Sequence, residues 1–467
     1  MQQIESTFPT KELYSFKILL VAEFLLMIGY ITLKISLSLF LSKNGYTLDS
    51  AYSISTASLA LFSICAVIWG YQSKHLPSQK SMVMVGTFII AIAFILTAIP
   101  IKHLQMLGIA LFVIGGSLYS ININLLVNNH FNCTVSRQQG NQALQWALNA
   151  GCIFGVISLS FVPIKISYHT LYLCSALFIF TSFTVLYLNK NNIIDNEANT
   201  KSFSKLKWSF LMNFVLMTIF VLWFLQDAQL TRFVTIFLFI GIIVYILRMV
   251  ILEKNRNYLS FVIILLLCSC TYWIAFAIFS NQFSIFLIDD VKSTYFGHAF
   301  SPLTVLFFDP LSNVLFGWLI YATYKKYKYS EKYMLMASLM LVSIAFGTLV
   351  YAMFHTSEYN KVNILWPIFC ISLYGTAEFL LLTTITAQIS QFIANTNKRG
   401  FFIGTQRLCS AFCASVVYYL LRTTETNSNS VHISLQLNEH LYSYVMIISL
   451  SSLIGFYVLN RLKIISI

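Results

Sequence analysis

The sequence predicts an all-α polytopic membrane protein, and three observations carry that reading. Of its 467 residues, 58% are hydrophobic and only 10% charged, with a mean hydropathy of +0.76, whereas a soluble domain carries roughly 25% charge. Runs such as Met82–Ile101, Phe261–Ile288 and Tyr333–Phe354 contain no charged residue, and about 20 apolar residues cross the hydrocarbon core of a bilayer. The polar links between such runs are mostly short, which leaves no room for a separate catalytic domain. Only helices suit the runs, because in lipid each backbone N–H and C=O has to be satisfied within the segment.

About 14 transmembrane helices follow from the span-length criterion, near 17–42, 50–71, 81–101, 104–127, 141–163, 168–188, 208–226, 230–250, 258–288, 299–324, 333–354, 362–390, 400–422 and 441–460. They divide as six, two and six. The polar stretch Asn189–Lys207 is the longest inside link after the first six. The expected organisation is an N-terminal six-helix bundle over 1–188, a cytoplasmic link with an inserted helix pair over 189–257, and a C-terminal six-helix bundle over 258–467. Two six-helix halves with substrate bound near the midplane are the build of major facilitator transporters.

The net charge of +13 raises a nucleic-acid reading, but the placement of the charge opposes it. With the N-terminus inside, the inner links and termini carry twenty Lys and Arg and the outer links seven. That is a positive-inside bias, which places both termini in the cytoplasm. The first apolar run is too long for a cleavable signal and lacks a small-residue cleavage site. Nine cysteines are scattered without metal-ligand spacing. Cys409 and Cys413 share a helix face, yet Cys is an ordinary small buried residue. No HExxH or GxSxG pattern is present, and the eight histidines fall mostly in loops or at helix ends. No enzyme, cofactor or metal is expected.

Ionisable residues inside apolar segments are the informative positions, because each costs about 2.5–3.5 kcal/mol at a helix centre. Glu23, Tyr30 and Lys34 lie 7 and 4 residues apart in the first segment. At 100° per residue they fall within about 40° of one another, forming one polar stripe. The stripe lines a cavity, or its ends snorkel toward the interfaces. Glu378 lies about 24 Å along its segment, at 1.5 Å per residue, between YGTA and FLLL. Its partner is another helix, the ligand or a proton; the alternative is a permanently protonated structural acid. Asp309 precedes Pro310, which breaks the helix there and suits a polar cavity site, or Asp309 simply caps the kink. Arg407 sits about two turns from an inner end and has a structural, snorkelling reading. Asp227 and the pair Asp289–Asp290 are expected in solvent at helix ends.

Several of these segments resemble the proton-dependent oligopeptide transporter family of the major facilitator superfamily. GYQSKHLPSQKSMVMVG (70–86) is similar to its helix 2–3 loop, with Lys74 where an acid of the inner gate is usual. LNAGCIFG (148–155) resembles the fifth helix and carries a binding-site asparagine onto Asn149. TYWIAFAIFSNQFSIF (271–286) resembles the seventh core helix, with Trp273 and Phe286 retained. YGTAEFLLL (374–382) and RGFFIG (399–404) resemble the tenth and eleventh, and an extra helix pair between the halves occurs in bacterial members. Of the helix 1 motif ExxERFxYY, VAEFLLMIGYITLK keeps Glu23, Tyr30 and a basic Lys34, while Leu26 and Met27 replace the second Glu and the Arg. The family's helix 4 lysine falls at Ser120, its helix 7 acid at Ala277 and its helix 8 asparagine at Asp309.

The resemblance implies import of di- and tripeptides, or of similar amino-acid-like zwitterions, across a bacterial inner membrane by alternating access. Tyr30, Lys34, Asn149, Trp273, Asp309 and Glu378 are the implied substrate-binding residues, and Glu23 and Glu378 the implied proton-coupling residues. The implied partners are a small zwitterion, protons and the lipid bilayer, with no nucleic acid. Lys34 and Glu378 suit a zwitterion's two charges. A carrier for another metabolite, or a non-transporting receptor on the same fold, stays open beside this.

Overall fold

A computed structural model describes residues 10–73, 78–131, 134–160, 167–195, 203–253, 259, 262–278, 283, 286–287, 290–292, 294–295, 298–299, 302–327, 330–356, 361–392, 399–425 and 433–461. Fourteen α-helices run through them: α1 (Thr10–Lys43), α2 (Leu48–Gln72), α3 (Gln79–Ala98), α4 (Lys102–Asn129), α5 (Thr134–Ser160), α6 (Tyr168–Leu188), α7 (Phe203–Leu225), α8 (Ala228–Glu253), α9 (Thr271–Ile278), α10 (Phe308–Tyr327), α11 (Glu331–Phe354), α12 (Leu365–Phe392), α13 (Arg399–Glu425) and α14 (Ile433–Arg461). Each coincides with one segment predicted from the apolar runs. Ten helices are long and apolar enough to cross a membrane, and shorter apolar helices cover Phe210–Leu225, Val262–Ile278 and Thr304–Ile320. The only strands among the described residues are a two-residue antiparallel pair, Thr294–Tyr295 with His298–Ala299.

Local chemistry ends the helices where the polar residues fall. After α1, Tyr46 N–H reaches Leu41 O at 3.2 Å and Gly45 takes φ +80°. This is the left-handed glycine cap that satisfies the last carbonyls of a helix. Thr47, Ser78 and Ser167 each accept a bond from a first-turn N–H of α2, α3 and α6, the side-chain cap that replaces missing intrahelical acceptors. Asp227 does the same for α8, accepting from Leu230 N at 2.9 Å, and is exposed as expected.

Two expected spans carry an internal change of helix type. Within the span expected at 258–288, Leu265–Cys270 forms a π-helical turn leading directly into α9. Within the span expected at 299–324, a 3-10 helix over Pro302–Phe307 gives way to α10 at Phe308. Pro310 therefore lies in the first turn of α10, where its missing N–H costs little.

The chain separates into two compact units, Met1–Phe237 with Thr386–Leu408, and Leu238–Ile385 with Cys409–Ile467. In the first unit, α1 packs on α5 and α6, and α3 on α4 and α6. Small residues permit these approaches, as is usual between membrane helices. A Cβ on Gly151 would lie 2.4 Å from Phe24 O, and one on Gly155 2.1 Å from Ile31 Cγ2. Interhelical hydrogen bonds add to the packing of α1 on α6: Thr32 Oγ1 to Ser175 Oγ at 2.8 Å and Ser36 Oγ to Tyr172 Oη at 2.9 Å. In the second unit α11 packs on α14, with Ser343 Oγ 2.7 Å from Ser449 Oγ.

Helices α7 and α8, expected as an inserted pair, expose apolar side chains. Trp208, Met212, Ile219, Trp223, Phe237 and Ile251 of α7 and α8 are exposed, as lipid-facing side chains are. Arg232, which falls with the outer-link charges in the sequence, is instead buried within α8 and donates to Thr56 Oγ1 at 2.9 Å.

Candidate solute-binding residues

The first unit holds a polar cluster on α1 and α4. Glu23 is 2% exposed, and Tyr119 Oη donates a hydrogen bond to its Oε2. Leu26, one turn further along and standing where the resemblance expects a second acid, is buried. The positive charge of Arg407 acts on Glu23 and on Tyr30, so this guanidinium belongs with the cluster. The Tyr30 ring lies against Phe112, with centroids 4.8 Å apart, beside Gly116. Cys152 of α5 lies near Tyr30. Asn149, about one turn earlier on α5, is buried and donates its Nδ2 to Gln145 O at 2.9 Å. Lys34, one turn beyond Tyr30, is exposed. An acid, two phenols and a guanidinium thus come together in the first unit, Glu23 and Tyr119 buried and Tyr30 and Arg407 half-buried.

The second unit holds a second cluster on α9, α10 and α12. Tyr374 and Glu378 are four residues apart on α12, one above the other. The rings of Tyr272 and Tyr374 stack with centroids 5.2 Å apart and planes 10° apart. The charges of Glu378 and Asp309 act on both phenols, which brings two acids to one pair of tyrosines. Gly375 makes this possible: a Cβ there would lie 2.4 Å from Ser312 Oγ and 2.7 Å from Asp309 Oδ1. Ser312 Oγ and Asn313 Nδ2 donate to Asp309 O at 2.8 and 3.2 Å. Trp273 is buried against Tyr272 and Phe276, and its Nε1–H has no hydrogen-bond partner among the described residues. A buried indole donor left in this way is a natural contact for a carbonyl.

The expected gate residue Lys74 lies outside the described residues, as does Asp289. In the first unit, residues 189–195 are tied down near the start of α3. Asp195 Oδ2 accepts from Ser78 Oγ at 2.7 Å and Lys80 N at 3.1 Å. Ser15 Oγ bonds His130 Nε2 at 2.7 Å and accepts from Ile194 N at 3.0 Å. Burial holds the His130 imidazole below its usual pKa, against a bond to Leu126 O and the nearby charges of Glu12 and Asp195 that pull the other way. In the same unit α2 meets the start of α13, where a Cβ on Gly70 would lie 2.1 Å from Gly400 O.

The sequence reading missed Tyr119, Tyr272 and Tyr374. Tyr374 was open to discovery from its spacing to Glu378. Tyr119 and Tyr272 carry no such signal, since each is brought to its acid by a different helix.

Apolar helices in this number, with ionisable groups inside the apolar segments of each unit, define a multi-pass membrane protein. Solved structures give the fold. A POT family transporter in complex with a thioalcohol-conjugated peptide matches with TM-score 0.76 at 15% identity, over 97% of this chain and 96% of the other. A POT family transporter in complex with 5-aminolevulinic acid matches with TM-score 0.73 at 16% identity, over 97% and 96%. No protein-family model matches the chain. By sequence the chain is similar to dipeptide and tripeptide permease B of Salmonella typhimurium, 22% identical over 420 residues and covering 86% of this chain and 85% of the permease. It is 21% identical to permease B of Photorhabdus luminescens over 404 residues, 82% of each, and 19% identical to permease A of Edwardsiella piscicida over 432 residues, 89% and 88%. The chain is thus similar over most of its length to dipeptide and tripeptide permeases, and it has the fold of the POT family transporters. The relatives are permeases and not enzymes, which agrees with the reading of the sequence.

Proposed function

We propose that this protein is a secondary transporter that imports di- and tripeptides, or similar amino-acid-like zwitterions, by alternating access coupled to protons. The observation that carries the proposal is the pair of ionisable clusters within the apolar helices, Glu23 with Tyr119, Tyr30 and Arg407 in one unit, and Glu378 with Asp309, Tyr272 and Tyr374 in the other. Such groups are expensive in a membrane protein and are kept where solute or protons are handled. Similarity to dipeptide and tripeptide permeases over 82% and 86% of the chain supports the substrate class.

In this reading Lys34 is the residue for the substrate carboxylate and Glu378 the residue for its ammonium, and Tyr30, Asn149, Trp273 and Asp309 are the further substrate-binding residues. Glu23 carries the coupling proton, and Glu378 does so when no ammonium occupies it. The positive-inside distribution of Lys and Arg supports a bacterial inner membrane with both termini in the cytoplasm. Leu26 and Met27, in place of an acid and a base on α1, favour a second reading, a carrier of another zwitterion with looser proton coupling.

The deciding experiment is uptake of dialanine into proteoliposomes under an inward proton gradient, for the wild type and Glu378→Gln. Accumulation by the wild type that a protonophore abolishes and Glu378→Gln lacks is the expected result. Accumulation by Glu378→Gln equal to the wild type would remove Glu378 from the site. Protonophore-insensitive uptake would move the protein to the second reading.

A further inference from the structure

Three of the cysteines meet. Cys270 closes the π-helical turn Leu265–Cys270, and Cys409 and Cys413 lie one turn apart on α13. All three belong to the second unit. Cys270 Sγ is 3.3 Å from Cys409 Sγ, Cys413 Sγ is 3.5 Å from Cys270 O, and the three sulfur atoms lie within 4.8 Å of one another. The thiols are free, Cys409 and Cys413 fully buried and Cys270 half-buried. The π-turn contributes the geometry: it widens the helix by one residue locally, as such turns do at functional positions. Cys268, two residues before, is buried outside the group.

Three sulfurs bonded to one ion at about 2.3 Å lie roughly 3.3–4 Å apart, and the three here already lie within 4.8 Å of one another, one pair at 3.3 Å. The group contains sulfur alone, with no imidazole or carboxylate, and soft ligands select soft ions. Charge narrows the choice further. Cys409 lies ten residues into the apolar span Arg399–Val417, where uncompensated charge is costly. Three thiolates leave a double negative charge around a monovalent ion, a single one around a divalent ion, and none around a trivalent one.

We propose that Cys270, Cys409 and Cys413 form a trithiol site for a thiophilic trivalent metalloid, of which arsenite is the probe. Arsenous acid, As(OH)3, enters uncharged. Three S–H bonds and three As–O bonds break, three S–As bonds form, and three water molecules leave. Arsenic stays in its trivalent state, so nothing is oxidised or reduced. The product is neutral and joins the π-turn to α13.

The test uses the full-length reduced protein in detergent, incubated with arsenite and freed of excess. Arsenic per chain is measured by elemental mass spectrometry, and its neighbours by arsenic K-edge X-ray absorption. One arsenic per chain with three sulfur neighbours and no oxygen is expected for the wild type. Cys270→Ser, Cys409→Ser and Cys413→Ser should each retain at least about tenfold less arsenic under the same wash, while Cys268→Ser retains it fully. Wild-type arsenic with two or fewer sulfur neighbours, or no arsenic retained, overturns the site. Retention unchanged in all three serine variants does so as well. The absorption measurement on the wild type decides the matter even where a variant fails to fold.

Discussion

Tyr119 of α4 donates a hydrogen bond to Glu23 of α1, joining a phenol and a carboxylate that stand 96 residues apart in the chain. Both are buried, and the charge of Arg407 acts on the same carboxylate. The acid that the resemblance assigns to proton coupling is thus held by a residue the helix 1 motif does not contain.

Tyr119→Phe removes that donor and leaves the ring. A hydrogen bond to a charged group contributes about 1.5–3 kcal/mol. Uptake of dialanine driven by a proton gradient should fall by about tenfold or more, while substrate exchange at equal pH on both sides persists. Equal losses in both assays would make Tyr119 a packing residue and detach Glu23 from coupling.

Lys34→Ala should weaken dialanine binding by about tenfold, as loss of one charge-assisted hydrogen bond to the substrate carboxylate does. Lys34→Arg keeps the charge and should retain most of the affinity. Isothermal titration of the purified protein reads both. An unchanged affinity in the alanine variant would show that the substrate carboxylate goes elsewhere.

Gly375→Ala places a Cβ 2.4 Å from Ser312 Oγ and 2.7 Å from Asp309 Oδ1. Alanine is the better helix former by about 1 kcal/mol, but the clash has to be relieved by moving α12 off α10, and overpacking costs about 1–3 kcal/mol. The expected outcome is a lower melting temperature together with weaker binding of dialanine, since Asp309 and Glu378 move apart. A raised melting temperature would mean the α10–α12 contact yields freely.

His130 makes stability depend on pH. Its folded pKa is depressed by burial, so the unfolded state binds the proton more readily, with an ordinary value near 6.5. The stabilisation is therefore complete above about pH 6.5 and is lost as the pH falls below it toward the folded value. Melting temperatures between pH 7.5 and 5 should drop more steeply for the wild type than for His130→Gln. Parallel curves would place the acid sensitivity elsewhere.

Much of the fold is legible in the sequence. Fourteen apolar runs become fourteen helices because in lipid the backbone has one way to satisfy itself, and that constraint acts on each run separately. The stripe of Glu23, Tyr30 and Lys34 follows from helical periodicity alone, and the similarity to peptide permeases was visible in local motifs. The tertiary structure decided what depends on more than one helix. It gave Glu23 its Tyr119 and Arg407, set Asp309 and Glu378 around Tyr272 and Tyr374, and buried Arg232. It also turned Cys270 toward Cys409 and Cys413 through a π-turn that no period in LLLCSC announces. Apolar runs repeat a signal many times over, so a single sequence carries it clearly. Contacts between helices depend on single side chains, and glycines such as Gly151 and Gly375 set the distance at which they meet.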